Sequence, residues 1–191
     1  MPEASRTILK RFPSDAVADT LLQLRLEVPH SLLQCMAWPG HKDALTGHLK
    51  QTLPSLSWPD PGQLQELSEG GLVFSTAPGS AMLLDLGAEN ARQLVSNTPM
   101  DSGSIFDQSE SRLLLDMQGT GVRGVLASGL TVNFAAWPER CAAATMLDHI
   151  DITVLRRQTD HFNLLVTRSY AQSLWDWVYE SGSNFLARQG S

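Results

Sequence analysis

Cysteine, lysine and long apolar runs are scarce in this chain. Of its 191 residues only Cys35 and Cys141 are cysteines, and neither has Cys or His neighbours at metal-ligand spacing. A disulfide framework and a zinc site are therefore not expected. No stretch reaches roughly 18 consecutive apolar residues, and residues 1–6 lack the apolar core of a signal peptide. We therefore expect a cytoplasmic protein that has no membrane partner.

Charged side chains are also few, at 18% of the chain against about 25% in typical soluble domains. The formal net charge is −6, and all of it lies in residues 61–121, which contain two basic and eight acidic side chains. An acidic balance argues against nucleic acid as a partner. Only three of the 14 basic residues are lysines, and the chain has five Trp and six Met. This composition is typical of surfaces covered by other proteins, unless codon usage alone has replaced Lys by Arg.

The length predicts one domain or two small fused ones, at about 150 residues per domain. Residues 1–20 show no clear hydrophobic period and are predicted to form an N-terminal arm. A single domain is expected over residues 21–182, with two related halves as an alternative, followed by a C-terminal tail at 183–191. A chain of this size buries roughly 70% of its unfolded surface and needs no metal or disulfide to fold.

Hydrophobic periodicity predicts a mixture of strands and helices. Strands are predicted at residues 22–28, 32–38, 72–75, 81–86, 112–118, 130–137, 150–157 and 161–166. Helices are predicted at 39–53, 88–95, 122–127 and 138–147, and from a cap at Thr167 or Ser169 to a stop at Gly182. Residues 55–71 are predicted to be a connecting loop and residues 100–111 an exposed polar loop. This order predicts an α+β fold in which helices cover antiparallel sheets.

Two internal similarities suggest repeated strand-helix units. Residues 32–39 and 130–138 each contain an apolar run followed by Trp-Pro, and residues 83–86 resemble residues 114–117 at an offset of 31. Repeats of this kind would build the sheets from related halves. The alternative is that any two strand-helix units look alike at this level.

A glycine-rich segment, Gly119-Thr120-Gly121-Val122-Arg123-Gly124, matches the pattern G-x-G-x-x-G between a predicted strand and a predicted helix. In dinucleotide-binding folds such glycines let a pyrophosphate approach the backbone, and Glu139 lies near the position of the ribose-binding acid. The break at Gly129 leaves only about two helical turns, however, and this is short for a crossover between parallel strands. A tight strand-to-helix turn is the simpler interpretation.

Histidines and acids gather around the predicted C-terminal hairpin. His149 and His161 lie beside Asp148, Asp151 and Asp160, which could supply a carboxylate-histidine pair, although a solvated hairpin also explains them. The sequence contains no G-x-S-x-G, S-x-x-K, P-loop, H-E-x-x-H or C-x-x-C motif. We therefore expect no catalytic, cofactor-binding or metal-binding residues on this chain.

A family resemblance is strongest in residues 162–177, Phe-Asn-Leu-Leu-Val-Thr-Arg-Ser-Tyr-Ala-Gln-Ser-Leu-Trp-Asp-Trp. This segment resembles the gamma subunit of heterotetrameric sarcosine oxidase. The Ala-Trp-Pro-Gly turn at 37–40, the glycine-rich turn at 121–126 with Gly129, and residues 141–157 resemble that family in the same order. The resemblance extends from about residue 30 to about residue 180 and does not include the N-terminal arm.

The resemblance implies a fold similar to the folate-binding domain of the glycine-cleavage T-protein. It also implies three partners: an alpha subunit with NAD and a folate site, a beta subunit with FAD, and a zinc-containing delta subunit, with covalent FMN between alpha and beta. Such complexes demethylate sarcosine to glycine, with formation of hydrogen peroxide and of formaldehyde or 5,10-methylenetetrahydrofolate. The gamma subunit carries no cofactor and performs no step. Related complexes oxidise other N-methylated amines, so the amine itself stays open.

Two other functions remain as alternatives. A free-standing folate-binding or aminomethyl-transfer protein would need a buried carboxylate, for which Asp85, Asp101 and Asp116 are the candidates. A dinucleotide-binding enzyme would use the turn at 119–124.

Overall fold

The computed structural model describes residues 17–18, 21–134 and 136–189. Its strands are β1 Val17–Ala18, β2 Gln23–Glu27, β3 Leu32–Ala37, β4 Leu64–Glu66, β5 Leu72–Ala77, β6 Ser80–Leu84, β7 Gly103–Asp107, β8 Arg112–Gln118, β9 Cys141–Leu147, β10 Ile150–Gln158 and β11 His161–Thr167. Its helices are α1 Lys42–Thr52, α2 Ala88–Ser96, α3 Val122–Ala127 and α4 Ala171–Gln189, and a short 3-10 turn, Arg168–Tyr170, precedes α4.

Contacts divide the chain into two compact units. Unit 1 contains residues up to 28, residues 110–140 and residues from 144 onward, and unit 2 contains residues 29–109 and 141–143. Strand order in the six-stranded sheet is β1-β2-β8-β11-β10-β9, and in the five-stranded sheet it is β4-β5-β6-β3-β7. The predicted α+β class with antiparallel sheets is confirmed.

The core of unit 1 lies on one face of the six-stranded sheet. Alternate residues of β2 and β8 face this core, as in Leu24 and Leu115, and β11 contributes Phe162 from the same face. Helices α3 and α4 cover them with Leu126 and Leu174. Apolar and polar residues alternate in the sequence of β2 because one face of its sheet packs on the core.

The core of unit 2 is built in the same way on the five-stranded sheet. Leu33 of β3 and Leu83 of β6 face inward beside Ile105 of β7. Leu49 of α1 and Leu94 of α2 cover that face, and both are almost completely buried. The spacing of four between the buried leucines of α1 is the spacing of one helix face.

The two sheets share part of their connectivity, although the strand beside β3 comes last in unit 2 and the strand beside β8 precedes it in unit 1. In unit 2 the elements β3-α1-β5-β6-α2-β7 follow one another along the chain, and in the sheet these strands lie side by side as β5-β6-β3-β7. In unit 1 the elements β8-α3-β10-β11-α4 follow one another along the chain, and these strands lie side by side as β10-β11-β8, with β2 on the other side of β8. Both are split β-α-β arrangements, in which another strand lies between the two parallel ones. The sequence similarities do not correspond to these arrangements, because one of them aligns β6 with β8 and, in the other, the described residues of 130–138 form no strand.

Residues 130–147 differ from the prediction of a strand followed by a helix. Of residues 130–140, those that the structure describes form neither a strand nor a helix, and residues 141–147 are strand β9 rather than a helix. The irregular segment is fixed by its side chains: the ring of Phe134 packs edge-on against Trp137 and Phe162, with centroids 5.9 Å apart in both pairs. The guanidinium of Arg156 donates to the carbonyl oxygens of Phe134, at 3.2 Å, and of Trp137.

Three smaller predictions were also wrong. The predicted exposed loop at 100–111 contains strand β7, and the predicted loop at 55–71 contains the short strand β4. The last helix does not stop at Gly182 but continues to residue 189. The predicted arm at 1–20 lies outside the described residues except for Val17 and Ala18, which pair with β2. Within the described ranges, no helix has the length and apolarity that crossing a membrane requires.

Candidate functional site

A polar cluster lies on strands β8 and β11 in unit 1. Antiparallel pairing places Asn163 opposite Asp116, and His161 opposite Gln118. Because residues two apart on a strand point to the same face, all four side chains share one face of the sheet. That face is opposite to the one formed by Leu115, Phe162 and the rest of the core.

Asp116 is the centre of this cluster. Its Oδ1 atom accepts a hydrogen bond from Nδ2 of Asn163 at 2.6 Å and lies 2.7 Å from Nε2 of His161, while Oδ2 accepts from Nε2 of Gln118 at 2.9 Å. The side chains of His161 and Asp116 are 20% and 21% exposed, and Asn163 is buried. Both oxygens of the Asp116 carboxylate therefore have hydrogen-bond partners, and the side chain is still partly exposed to solvent.

Two opposing effects set the charge of Asp116. Burial by itself raises the pKa of this carboxyl, but hydrogen bonds from His161, Gln118 and Asn163, together with the charge of His161, hold the pKa below its usual value. Asp116 is thus an ionised acceptor that fixes one ring nitrogen of His161. A histidine oriented in this way is suited to proton transfer or to hydrogen bonding with a polar ligand.

The other two carboxylates considered for folate binding have no comparable cluster in the part of the chain that the structure describes. Asp85 adopts a left-handed backbone, with φ of 55°, and accepts a hydrogen bond from the backbone N–H of His30 at 2.9 Å. Asp101 lies in an exposed turn before β7. Asp85 also lies 3.7 Å from Nδ1 of His30, but that histidine is 88% exposed. Of the three candidates, only Asp116 is joined to a largely buried histidine on a neighbouring strand.

Of the two hairpin histidines, His149 lies beside a neighbouring acid as sequence proximity suggested, and His161 does not. His161 contacts Asp116, which is 45 residues away, and Asp160 instead accepts a hydrogen bond from Nε of Arg123 at 3.1 Å. His149 is almost fully exposed and lies 3.5 Å from Asp148. Sequence reasoning considered Asp116 and His161 separately and missed the pair, because only the register of β8 against β11 brings them together.

The glycine-rich turn is filled by the protein itself. Gly119 has φ of +117°, and a Cβ atom there would lie 2.4 Å from the carbonyl oxygen of Leu21. The backbone N–H of Gly121 donates to that same oxygen at 2.8 Å. Cβ atoms at Gly121 and Gly124 would lie 2.7 and 2.5 Å from the ring of Phe185. Close packing therefore accounts for all three glycines of the motif without a phosphate.

Other chemically suggestive groups serve the fold. Burial raises the pKa of the Cys35 thiol to about 12, and Cys141 is also buried. The carboxylate of Glu69 accepts hydrogen bonds from the hydroxyl and the backbone N–H of Ser55, and these lower its pKa to about 2. Among the residues described, no three His, Cys, Asp or Glu side chains come together as a metal site.

No family model matches the sequence, and no curated protein matches it. Among solved structures, a chain of heterotetrameric sarcosine oxidase from Corynebacterium sp. U-96, in complex with pyrrole 2-carboxylate, is similar with a TM-score of 0.77 and 17% identity; the match covers 95% of this chain and 92% of that one. The glycine cleavage system aminomethyltransferase T from Bartonella henselae matches with a TM-score of 0.58 and 16% identity, over 83% of this chain.

These likenesses establish the fold. The expected similarity to the T-protein fold is confirmed, and the chain spans less than half of the aminomethyltransferase, 46% of its length. The similarity to a chain of the sarcosine oxidase, in contrast, is nearly end to end for both proteins.

Proposed function

We propose that this chain is a non-catalytic structural subunit, of the gamma type, in a heterotetrameric flavin-dependent sarcosine oxidase. In this proposal the alpha, beta and delta partners carry NAD, FAD, FMN and zinc. They perform the oxidative demethylation of sarcosine to glycine, which forms hydrogen peroxide and either formaldehyde or 5,10-methylenetetrahydrofolate. The present chain supplies a folded surface on which these partners assemble.

The observation that carries the proposal is the extent of the structural likeness. Nearly all of this chain corresponds to nearly all of one chain of a heterotetrameric oxidase, as expected for a subunit with the same place in a similar assembly. The packing of the glycine-rich turn weakens the dinucleotide-binding alternative, since contacts with Leu21 and Phe185 account for its glycines. The segment at 162–177 adds the resemblance in sequence.

Purification from the native source tests the proposal. The chain carries a tag, is expressed at its natural level, and is recovered with whatever accompanies it. We expect a yellow pool with the visible spectrum of flavin, containing a large flavoprotein, a second flavin subunit and a small zinc protein. A colourless chain that elutes alone and monodisperse would contradict the proposal.

A second function is favoured by one specific observation, the Asp116 cluster. An ionised carboxylate beside an oriented histidine, on a T-protein-like fold, fits a free-standing protein that binds folate or transfers an aminomethyl group. Titration of the isolated chain with tetrahydrofolate, monitored by tryptophan fluorescence, tests this second function. The same titration is done with Asp116→Ala and, for comparison, with Asp85→Ala and Asp101→Ala. Saturable quenching that only Asp116→Ala loses would support this function. Absence of any change in the parent protein would remove it.

A further inference from the structure

Four large apolar side chains of unit 2 are exposed on or next to strands β3 and β7. Met36, Trp38, Met100 and Phe106 are 39%, 42%, 78% and 53% exposed, respectively. Exposed apolar side chains are ordinary when scattered, but a contiguous group of them marks a binding surface. Trp, Met and Phe are also the residue types enriched where proteins meet.

These four side chains form one surface, which we call the β3–β7 patch. In the register of β3 against β7, Gln34 lies opposite Phe106 and Met36 opposite Ser104, so Met36 and Phe106 are diagonal neighbours on one face of the sheet. At the end of β3 the indole Nε1 of Trp38 donates to the carbonyl oxygen of Met100 at 3.1 Å. The hydrogen bond fixes the Trp38 ring beside the exposed Met100.

The patch lies on the face of the five-stranded sheet that is opposite to the core of unit 2. Leu33, Cys35 and Ile105, which alternate with the patch residues, form the core of unit 2 together with α1 and α2. The patch is thus on the side of β3 and β7 that these helices do not cover. Strand β7 is in addition the last strand of the five-stranded sheet, a position that offers backbone groups to another chain.

An acidic side chain lies beside the patch. Asp101 follows Met100 and is exposed, whereas Asp107, although exposed, lies opposite Leu33 and therefore on the other face of β7. No lysine or arginine among the described residues forms a salt bridge with Asp101. Unit 2 as a whole has eight acidic and three basic side chains, a net formal charge of −5.

We infer that the β3–β7 patch binds a flavoprotein subunit of the oxidase through an apolar centre with lysine and arginine around it. The inference rests on the proposed function and names the surface through which this chain joins the assembly. The apolar side chains supply affinity, since aromatic anchors at the centre of an interface contribute most of the binding energy. Asp101 and the net negative charge of unit 2 supply charge complementarity, which selects a basic partner and speeds association.

Substitutions in the full-length tagged chain, purified from the native source, test this surface. Phe106→Glu places a charge at the apolar centre, and Asp101→Lys reverses the charge beside the patch. Met146→Glu on β9, where the native side chain is 52% exposed, and Glu180→Lys on α4 are matched controls outside the patch. The readout is the amount of flavin recovered per tagged chain, with the flavoprotein identified by mass spectrometry and folding followed by circular dichroism.

We expect Phe106→Glu to lower the recovered flavin at least about tenfold, as for a hot-spot position. Asp101→Lys should lower it less, and more strongly at low salt, and both controls should retain it. If wild type recovers flavoprotein and the patch variants recover as much, the patch is not the docking surface, while the proposed function stands. If the wild-type chain recovers no flavoprotein, both the proposed function and the docking surface are wrong. A homodimer that Phe106→Glu dissociates would show instead that a second copy covers the patch. Should Phe106→Glu fail to fold, Met100→Glu at the most exposed position decides the question.

Discussion

At the scale of single residues, the glycine-rich turn shows how one pattern can serve two purposes. The pattern at 119–124 has the spacing of a phosphate-binding loop, yet each glycine lies where a side chain would strike Leu21 or Phe185. The sequence predicted the tight turn correctly from its glycines. It could not identify Leu21 or Phe185 as the neighbours, because both are distant in the chain.

Substitution of Gly119 tests this explanation. Gly119→Ala must adopt a positive φ and place its Cβ 2.4 Å from the Leu21 carbonyl oxygen, so we expect a loss of about 3 kcal/mol in the free energy of unfolding. The measurement is urea unfolding followed by circular dichroism. Gly47→Ala is the control: the site lies inside α1 with open space around it, and the change should stabilise the protein by about 0.5 to 1 kcal/mol. An unaltered stability in Gly119→Ala would show that the turn is not packed as described.

The Asp116 cluster gives a prediction at the same scale. Asp116→Asn removes the negative charge from the acceptor of His161 and Asn163. We expect it to lower the free energy of unfolding by about 1 to 2 kcal/mol at neutral pH, because the remaining hydrogen bonds are to a neutral oxygen and the second oxygen becomes an NH2 group facing Gln118. Exposed Asp151→Asn should change stability by less than about 0.5 kcal/mol.

The pH dependence of the same variant follows from the lowered pKa of Asp116. A carboxyl whose pKa is lower in the folded state stabilises the fold fully above its unfolded pKa of about 3.9 and loses that contribution as pH falls through the folded value. The difference in free energy of unfolding between wild type and Asp116→Asn should therefore shrink as the pH is lowered from 6. Urea unfolding of both proteins, repeated at pH values about one unit apart, measures it. A difference that grows on acidification would contradict this assignment.

At the scale of elements, periodicity predicted most of the fold. It located β2, β3, β8, the β10–β11 hairpin and α3 because each has a regular apolar face or clear flanking breakers. It failed at β9, where the alanine-rich run 141–147 favours a helix by propensity but forms an edge strand of the six-stranded sheet. It also failed at β7, where Gly103 and Ile105 are buried but Ser104 and Asp107 interrupt the apolar pattern.

The end of α4 provides a test at this scale. Gly182 was expected to stop the helix, but the chain continues helically and brings Phe185 against the glycine-rich turn. Phe185→Ala should lower the free energy of unfolding by about 1 to 3 kcal/mol, less than a fully buried phenylalanine would. Asn184→Ala, one position earlier and exposed, is the matched control and should be nearly neutral. Equal stabilities of the two variants would show that the helix end does not pack on the turn.

At the scale of the whole molecule, composition and structure both indicate a surface that binds another protein. The shortage of lysine and the content of Trp and Met predicted a covered surface, and Met36, Trp38, Met100 and Phe106 are exposed together in unit 2, which also holds most of the net negative charge. Composition could indicate that such a surface exists. It could not place it, because pairing of β3 with β7 is what joins these residues.

The most direct test of the central claim is native mass spectrometry of the particle that contains this chain, purified at its natural level, combined with its flavin content. The account predicts an assembly in which one copy of this 20.9 kDa chain accompanies two flavin-bearing subunits and a small zinc protein. The mass of the isolated chain, without flavin, would contradict it.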